Sequence, residues 1–590
     1  MREFRCVLCC AVTLALAACD PLNVTNPNNP DRGRVFGNAA DLEQLVASTY
    51  ARVHAGTMGG ALVLTGGAND ALQPQLQVMG MENVSSLANF AMGPRGAIPR
   101  NPITNARGGQ GNIGNYRDWV VEHSAARMAA LAIARLKVLT LGSAARDARA
   151  LAFARFAQGV ALGNLALAYD SASILTENDN PEATASVIVP LSGHGDVMKA
   201  ALGYLDSAIA IASGATPPGP AGDWFPLPNT WINTTVDKER TAGQFIQIAR
   251  SYQARFRAGV ARTPAERADL KAGGIVDWSR VIEDATNGIQ ADFNIYMDPT
   301  NGWDVSWVIQ HYATGSANWH QMSQFWLGMA DTSGAADPSK GYDHWLATAP
   351  LLRVPFTIVT PDRRFPRGTT RAVQNAQDTS VIAANQTNTF TAARYFRNRP
   401  ASADQPGDPL GISQYDFRRS QAFRNASRIG NYPVMTASEI RLLAAEGQLR
   451  AGTAAGVAAA AALIDVSRVG KGGLPPLVGA ITDASMPVPG GTGCVPRIPD
   501  PVQGYKRAMC GTIWDALKWE YRMETAYAGY GTWFFAGRGW GDLPQGTALH
   551  WPVPNQEMDA RGEPFYGAGG TNGRDAAADG NYGLFLNGVY

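Results

Sequence analysis

The sequence lacks an excess of charge of either sign. Its 590 residues carry 50 Lys and Arg against 49 Asp and Glu, and only 17% of positions are charged. Arg2, Arg5 and Glu3 fall in residues 1–18, so the rest of the chain is neutral overall. Nucleic-acid binding needs a basic footprint to neutralise phosphates, which this composition does not supply. Cysteine is scarce as well. Cys6, Cys9, Cys10 and Cys19 lie at the amino terminus, which leaves Cys494 and Cys510 in the body, and no pair has zinc-ligand spacing. The seven histidines (His54, His123, His194, His311, His320, His344 and His550) are scattered, with no His-Glu-x-x-His pattern. A Gly-x-Ser-x-Gly elbow and a Walker loop are both missing. These absences leave no metal site and no catalytic residue to nominate by motif, and no cofactor is expected.

What is present begins with a leader. Arg2 and Arg5 precede an uncharged apolar run, Cys6 to Leu16, which is too short to cross a bilayer, since a helical span takes about 20 residues. Residues 1–18 therefore read as a secretory signal peptide and stand outside the fold. Leu16-Ala17-Ala18-Cys19 resembles a bacterial lipobox, which implies lipid attachment at Cys19; the alternative is an ordinary signal peptide cut after a small residue. Residues 19–36 hold Pro21, Pro27, Pro30 and several Asn, with almost nothing to bury, and read as a flexible tether.

The remaining body, 37–590, is long enough for a large core. Apolar residues recur at helical spacing over 38–54, 116–141, 145–172, 196–213, 240–260 and 278–290. Paired helices of this length suit a TPR-like helical-hairpin scaffold over 37–290, although no strict 34-residue period is present. Helical period is lost over 291–430, where Gly, Asn, Thr, Pro and aromatics rise. A segment of this length is expected to be ordered and loop-rich, with short strands such as Leu351 to Val359. Helices return over 431–590. Thr436 with Glu439 forms a capping box, a second Ala-rich helix runs from Thr453 to Arg468, and a third starts at Thr512 with Asp515 three residues on. From Gly529 onward the chain is again loop-rich. The fold class is mostly α.

Four stretches in order carry a family resemblance. Pro433 to Gly447, Ala462 to Pro475, Ile513 to Gly531 and Trp533 to Trp540 resemble the signature elements of the SusD/RagB family. Asp465 stands where that family usually has Asn, and Ala528 where it has an acid before the glycine. The amino-terminal helices at Ala161 to Asp170 and Val197 to Ala212 resemble the family's TPR helices. The resemblance implies a mostly α-helical, SusD-like fold and a nutrient-binding lipoprotein at the outer membrane, facing the cell exterior through its lipid anchor. It further implies an oligosaccharide or peptide ligand passed to a SusC-like TonB-dependent transporter, with no enzymatic activity. The motif residues Glu439, Glu446, Glu520, Arg522 and Glu524 are expected to serve as helix caps and ion pairs. Two other classes stay open. Glu520 and Glu524, one turn apart, could form the carboxylate pair of an α-helical glycoside hydrolase. A TPR-like protein-binding adaptor would need no small-molecule pocket.

The ligand face is sought in an aromatic cluster. Trp303, Trp307, Tyr312, Trp319, Phe325 and Trp326 fall within 24 residues, interleaved with His311, Asn318, His320, Gln321 and Gln324. Sugar rings present C–H faces to aromatic rings, while their hydroxyls take hydrogen bonds from amides. Trp303, Trp307, Tyr312, Trp319 and Trp326 are the candidate ligand-binding residues; the competing role for each is a core filler in a segment short of regular structure. Cys494 and Cys510 flank a Pro/Gly-containing loop and are expected to pair as a disulfide, against two separate buried thiols. Glu177-Asn-Asp-Asn-Pro-Glu182 is oxygen-rich enough for a structural calcium, or is a polar turn that ends a helix.

Overall fold

The computed structural model describes residues 37–58, 71–85, 92–98, 100–108, 115–180, 188–214, 227–232, 240–298, 303, 320–377, 394–404 and 413–570. Cys19, and with it the leader and tether, lies outside them, as do Trp307, Tyr312 and Trp319.

Helices dominate. The long ones are α1 (Ala39–Thr57), α3 (Asn115–Leu136), α4 (Ala144–Ala168), α5 (His194–Gly214), α6 (Ala242–Gly259) and α7 (Trp278–Thr286), with a shorter α2 (Leu72–Met79) after α1. In the carboxy-terminal part they are α8 (Ala437–Arg450), α9 (Ala454–Arg468), α10 (Ile513–Thr525) and α11 (Thr532–Trp540). Local chemistry sets their starts. Asn38, Ser143, Asp277, Thr436 and Thr453 each accept a hydrogen bond from an N–H of the first turn, and Thr241 with Gln244 and Thr512 with Asp515 form reciprocal capping boxes. At Thr436 only half of the expected box forms, because the Glu439 side chain turns to Arg255 instead.

The helices stack as neighbours, α3 on α4, α4 on α5, α5 on α6, α6 on α7, and then α7 directly on α8, with α9 and α10 beyond. The carboxy-terminal helices thus extend the amino-terminal stack rather than forming a second body. Glycine permits the close approach: a Cβ on Gly163 would fall 2.2 Å from the Phe256 ring, and one on Gly159 would fall 2.9 Å from the Ala201 carbonyl oxygen. By length and apolar composition α4 could cross a membrane, but it is 89% buried among its neighbours and serves as the central core helix.

Strands are short and occur only in pairs among the described residues. Antiparallel ladders join β1 (Asn83–Ser85) to β5 (His320–Met322), β2 (Ser171–Ser173) to β3 (Leu191–Gly193), and β4 (Phe293–Met297) to β8 (Gly430–Met435). Two more join β6 (Phe396–Asn398) to β7 (Tyr415–Phe417), and β9 (Arg497–Pro499) to β10 (Ala508–Cys510). The ladder of β4 with β8 closes the base of the 291–430 region, so the chain leaves and re-enters the helical stack at one place.

One expectation is corrected. Leu351 to Val359 is not a strand: Pro350–Leu352 is a turn of 3-10 helix, and the extended part finds its partners outside any ladder, with Ile358 N–H donating to the Tyr415 hydroxyl and Val359 N–H to Asp331. Within the loop-rich stretch after Gly529, α11 forms from a Gly- and aromatic-rich run that tertiary burial holds helical. Helix α2 gave no periodic signal because all eight of its residues are buried, three glutamines included.

Candidate functional site

The family-like acids act as buried braces. Glu439 pairs with Arg255 of α6, and Glu446 with Arg267 and Arg450. Burial raises the Glu446 carboxyl, but Arg267 and Arg450 outweigh it and bring it down to about 2. On α10, Glu520 and Glu524 are fully buried and share Arg364, which also holds Asp362, while Arg419 and the Tyr395 hydroxyl take the rest of Glu524. Arg522 pairs with Asp542. These two carboxylates face a guanidinium in the core rather than a cleft, an arrangement suited to fastening the 362–419 segment to α10 and not to protonating a glycosidic oxygen.

The glycines of the third motif have a steric cause. Gly529 and Gly531 have φ of +69° and +60°, and the Gln73 amide clasps that turn, donating to the Gly529 carbonyl and accepting from Gly531 N–H. Where the family pattern calls for an acid, this chain has Ala528. The carboxyl beside that turn is Glu82, which accepts from Tyr527 N–H at 2.5 Å. Burial pushes Glu82 up to about 8, against the pull of the Tyr527 amide and Gln77.

The aromatic cluster divides. Trp326 is 2% exposed, with the Arg522 guanidinium stacked 3.6 Å from its ring centroid and Phe325 against its edge. Trp303 is also buried, packed on His54 and Tyr50 of α1. The ligand-face expectation is therefore corrected for these two: they supply apolar volume to the core where regular structure runs out. The roles of Trp307, Tyr312 and Trp319 fall outside the described residues.

The amides interleaved with those rings cluster elsewhere than expected. Gln321, Ser323 and Gln324 come from β5 and the turn after it; Gln77 and Asn83 come from the end of α2 and from β1. All five are buried, and Asn83 Nδ2 donates to Gln77 Oε1 at 3.2 Å. With a glutamine at every second position from Gln73 to Gln77, α2 carries no apolar stripe at helical spacing, so periodicity does not mark it.

A concave feature of about 470 Å³ lies between α5, the Arg257 end of α6 and the 273–277 turn. Its polar groups are mostly committed: Asp206 accepts from Gln253, Arg257 pairs with Asp284, and Asp277 caps α7.

Cys494 and Cys510 are joined as a disulfide, with Cα atoms 5.8 Å apart. It closes the β9–β10 hairpin, which Arg497 also ties to the buried Asp343. Of the oxygen-rich turn, Glu177 is engaged by Arg155 and Lys137, and Asp179 by Thr176. Partial burial raises the Glu177 carboxyl, but the Arg155 hydrogen bonds carry it down to about 2. Glu182 lies outside the described residues. Among the described residues no three His, Cys, Asp or Glu side chains gather for a metal ion.

No protein-family model matches the sequence, and no curated protein does. Among solved structures, the chain is similar to a SusD superfamily protein from Bacteroides vulgatus at 11% identity, over 89% of this chain and 90% of that one, with a TM-score of 0.48. It is similar to a SusD superfamily protein from Bacteroides thetaiotaomicron at 12% identity, over 89% and 98%, with a TM-score of 0.49. A laminarin-binding SusD-like protein matches at 13% identity over 90% and 98%, with a TM-score of 0.45.

Proposed function

We propose that this chain is a SusD/RagB-type nutrient-binding lipoprotein that captures an oligosaccharide or peptide and passes it to a TonB-dependent outer-membrane transporter. The observation that carries the reading is the use of the four family-like stretches. They fold into helices whose acids brace α6, the Pro264–Ala268 turn of helix that follows it and the 362–419 segment, which is the scaffold role the resemblance implies. The hydrolase alternative loses its best pair, since Glu520 and Glu524 are both committed to buried arginines, Arg364 on both and Arg419 on Glu524. In this reading Cys19 carries the lipid, residues 19–36 hold the body off the membrane, and Trp307, Tyr312 and Trp319 contribute to the ligand face. Calorimetric titration with a panel of oligosaccharides and peptides tests the binding, and co-purification with a TonB-dependent transporter from the native host tests the hand-over. Saturable binding of one panel member and recovery of the transporter are expected. Neither binding nor a transporter would end the proposal.

A further inference from the structure

Where α2 runs into β1, and β1 meets β5, the hydrogen-bonding capacity of the side chains is not met. Gln77, Asn83, Ser323 and Gln324 are each at most 1% exposed. They share one patch: Asn83 bonds Gln77 through its side chain, and Ser323 N–H donates to the Glu82 carbonyl next to Asn83. Yet Asn83 Oδ1, Ser323 Oγ and both amide atoms of Gln324 have no hydrogen-bond partner among the described residues, while Gln77 is engaged by Asn83 and by the Glu82 carboxyl. Native interiors rarely leave such atoms unmade, and several together would rival the net stability of a domain.

We infer that this patch is a binding site for neutral O–H groups. Its unmet atoms include both donors and acceptors, and Gln324 offers one of each on a single amide. A bare cation would answer only the acceptors, and a bare anion only the donors. A hydroxyl group or a water molecule answers both, and serves Ser323 in either sense. The Glu82 carboxyl, next to Asn83 in the chain, fits this neutral character, since burial keeps it largely protonated near pH 7. Two sources supply this chemistry: internal water, which satisfies buried polar groups through about three hydrogen bonds each, and the hydroxyls of a saccharide. The second source, and only the second, rests on the function proposed above.

The test is a high-resolution crystal structure of the full mature chain, alone and soaked with maltohexaose or laminarihexaose, together with Gln324→Met and Ser323→Ala. Ordered water within hydrogen-bond reach of at least three of the four atoms, with a lower melting temperature for Gln324→Met and unchanged affinity for the two hexaoses, supports the site with water as its occupant. Sugar hydroxyls at those atoms, with affinity for that hexaose reduced about tenfold in either variant, support it with saccharide as the occupant. A dry patch whose atoms pair with one another, or a Gln324→Met variant that melts higher than the parent, overturns it, because an amide without partners is better replaced by an apolar isostere. Ser323→Ala gives the same reading should Gln324→Met fail to fold. An ordered-water result beside a failure to bind any oligosaccharide or peptide would sink the nutrient reading and leave this site standing.

Discussion

Arg255 on α6 grips Glu439 at the start of α8 with two parallel hydrogen bonds, Nε at 2.6 Å and Nη2 at 2.7 Å, across 184 residues of sequence. Its Nη2 also donates to the Val434 carbonyl, so the guanidinium holds both the strand that enters α8 and the helix itself. The 291–430 region hangs between these two partners, and the pair fixes where it is attached.

Breaking that pair from one side should be costly. Arg255→Met leaves the Glu439 carboxylate buried without its cation, and a loss of about 3–5 kcal/mol is expected by urea denaturation. Arg255→Met combined with Glu439→Leu should recover a large part of it. A double variant as unstable as the sum of the two singles would show that the pair itself contributes little.

Glu82 gives stability a pH dependence of definite sign. Its folded pKa of about 8 lies above the usual glutamate value, so the folded state holds the proton more tightly. Its contribution is fully present below about pH 4.5 and is lost as pH rises through about 8, with about 3 kcal/mol gone by pH 7. Glu82→Gln keeps an acceptor for Tyr527 N–H and removes the ionisation. It should gain stability relative to the parent as pH rises from 5 to 8; parallel curves for the two proteins would refute the assignment.

The disulfide should be separable from the rest of the fold. Cys494→Ala with Cys510→Ala opens a loop of about 15 residues, and the chain-entropy estimate is a loss of about 3 kcal/mol. Thiol titration of the unfolded, unreduced mature chain should find neither of these cysteines free.

The aromatic cluster should split in mutagenesis. Trp303→Ala and Trp326→Ala remove core rings, so each is expected to cost about 3–5 kcal/mol of stability. Trp307→Ala and Trp319→Ala are expected to leave the melting temperature in place and to weaken binding of the best ligand by about 1–3 kcal/mol, by analogy with stacking on aromatic platforms. If those two also lower the melting temperature sharply, the ligand face lies elsewhere.

Anchoring has its own test. Cys19→Ala expressed in the native host should move the protein from the outer-membrane fraction to a soluble one, and unchanged fractionation would remove Cys19 from the account.

The helical architecture was legible because its signals are local. The 3.6-residue recurrence of apolar positions marks α1 and α3 to α7, and capping residues such as Thr436, Thr453 and Thr512 mark starts to within a residue. The pairing of Cys494 with Cys510 followed from there being no other cysteine in the body. What the sequence could not show depends on partners far along the chain. Glu439 looked like half of a capping box, and its carboxylate went to Arg255, because a buried guanidinium needs a full counter-charge more than a backbone amide needs a second acceptor. Gln73, Gln75 and Gln77 are buried in α2, where the turn at Gly529 and Gly531 gives Gln73 its partners, and no local signal marks them. Trp303 and Trp326 had the composition of a binding platform, and packing against α1 and Arg522 made them core. A side chain's residue type sets which contacts it is able to make; only the tertiary structure, by deciding which neighbours desolvate it, selects among them.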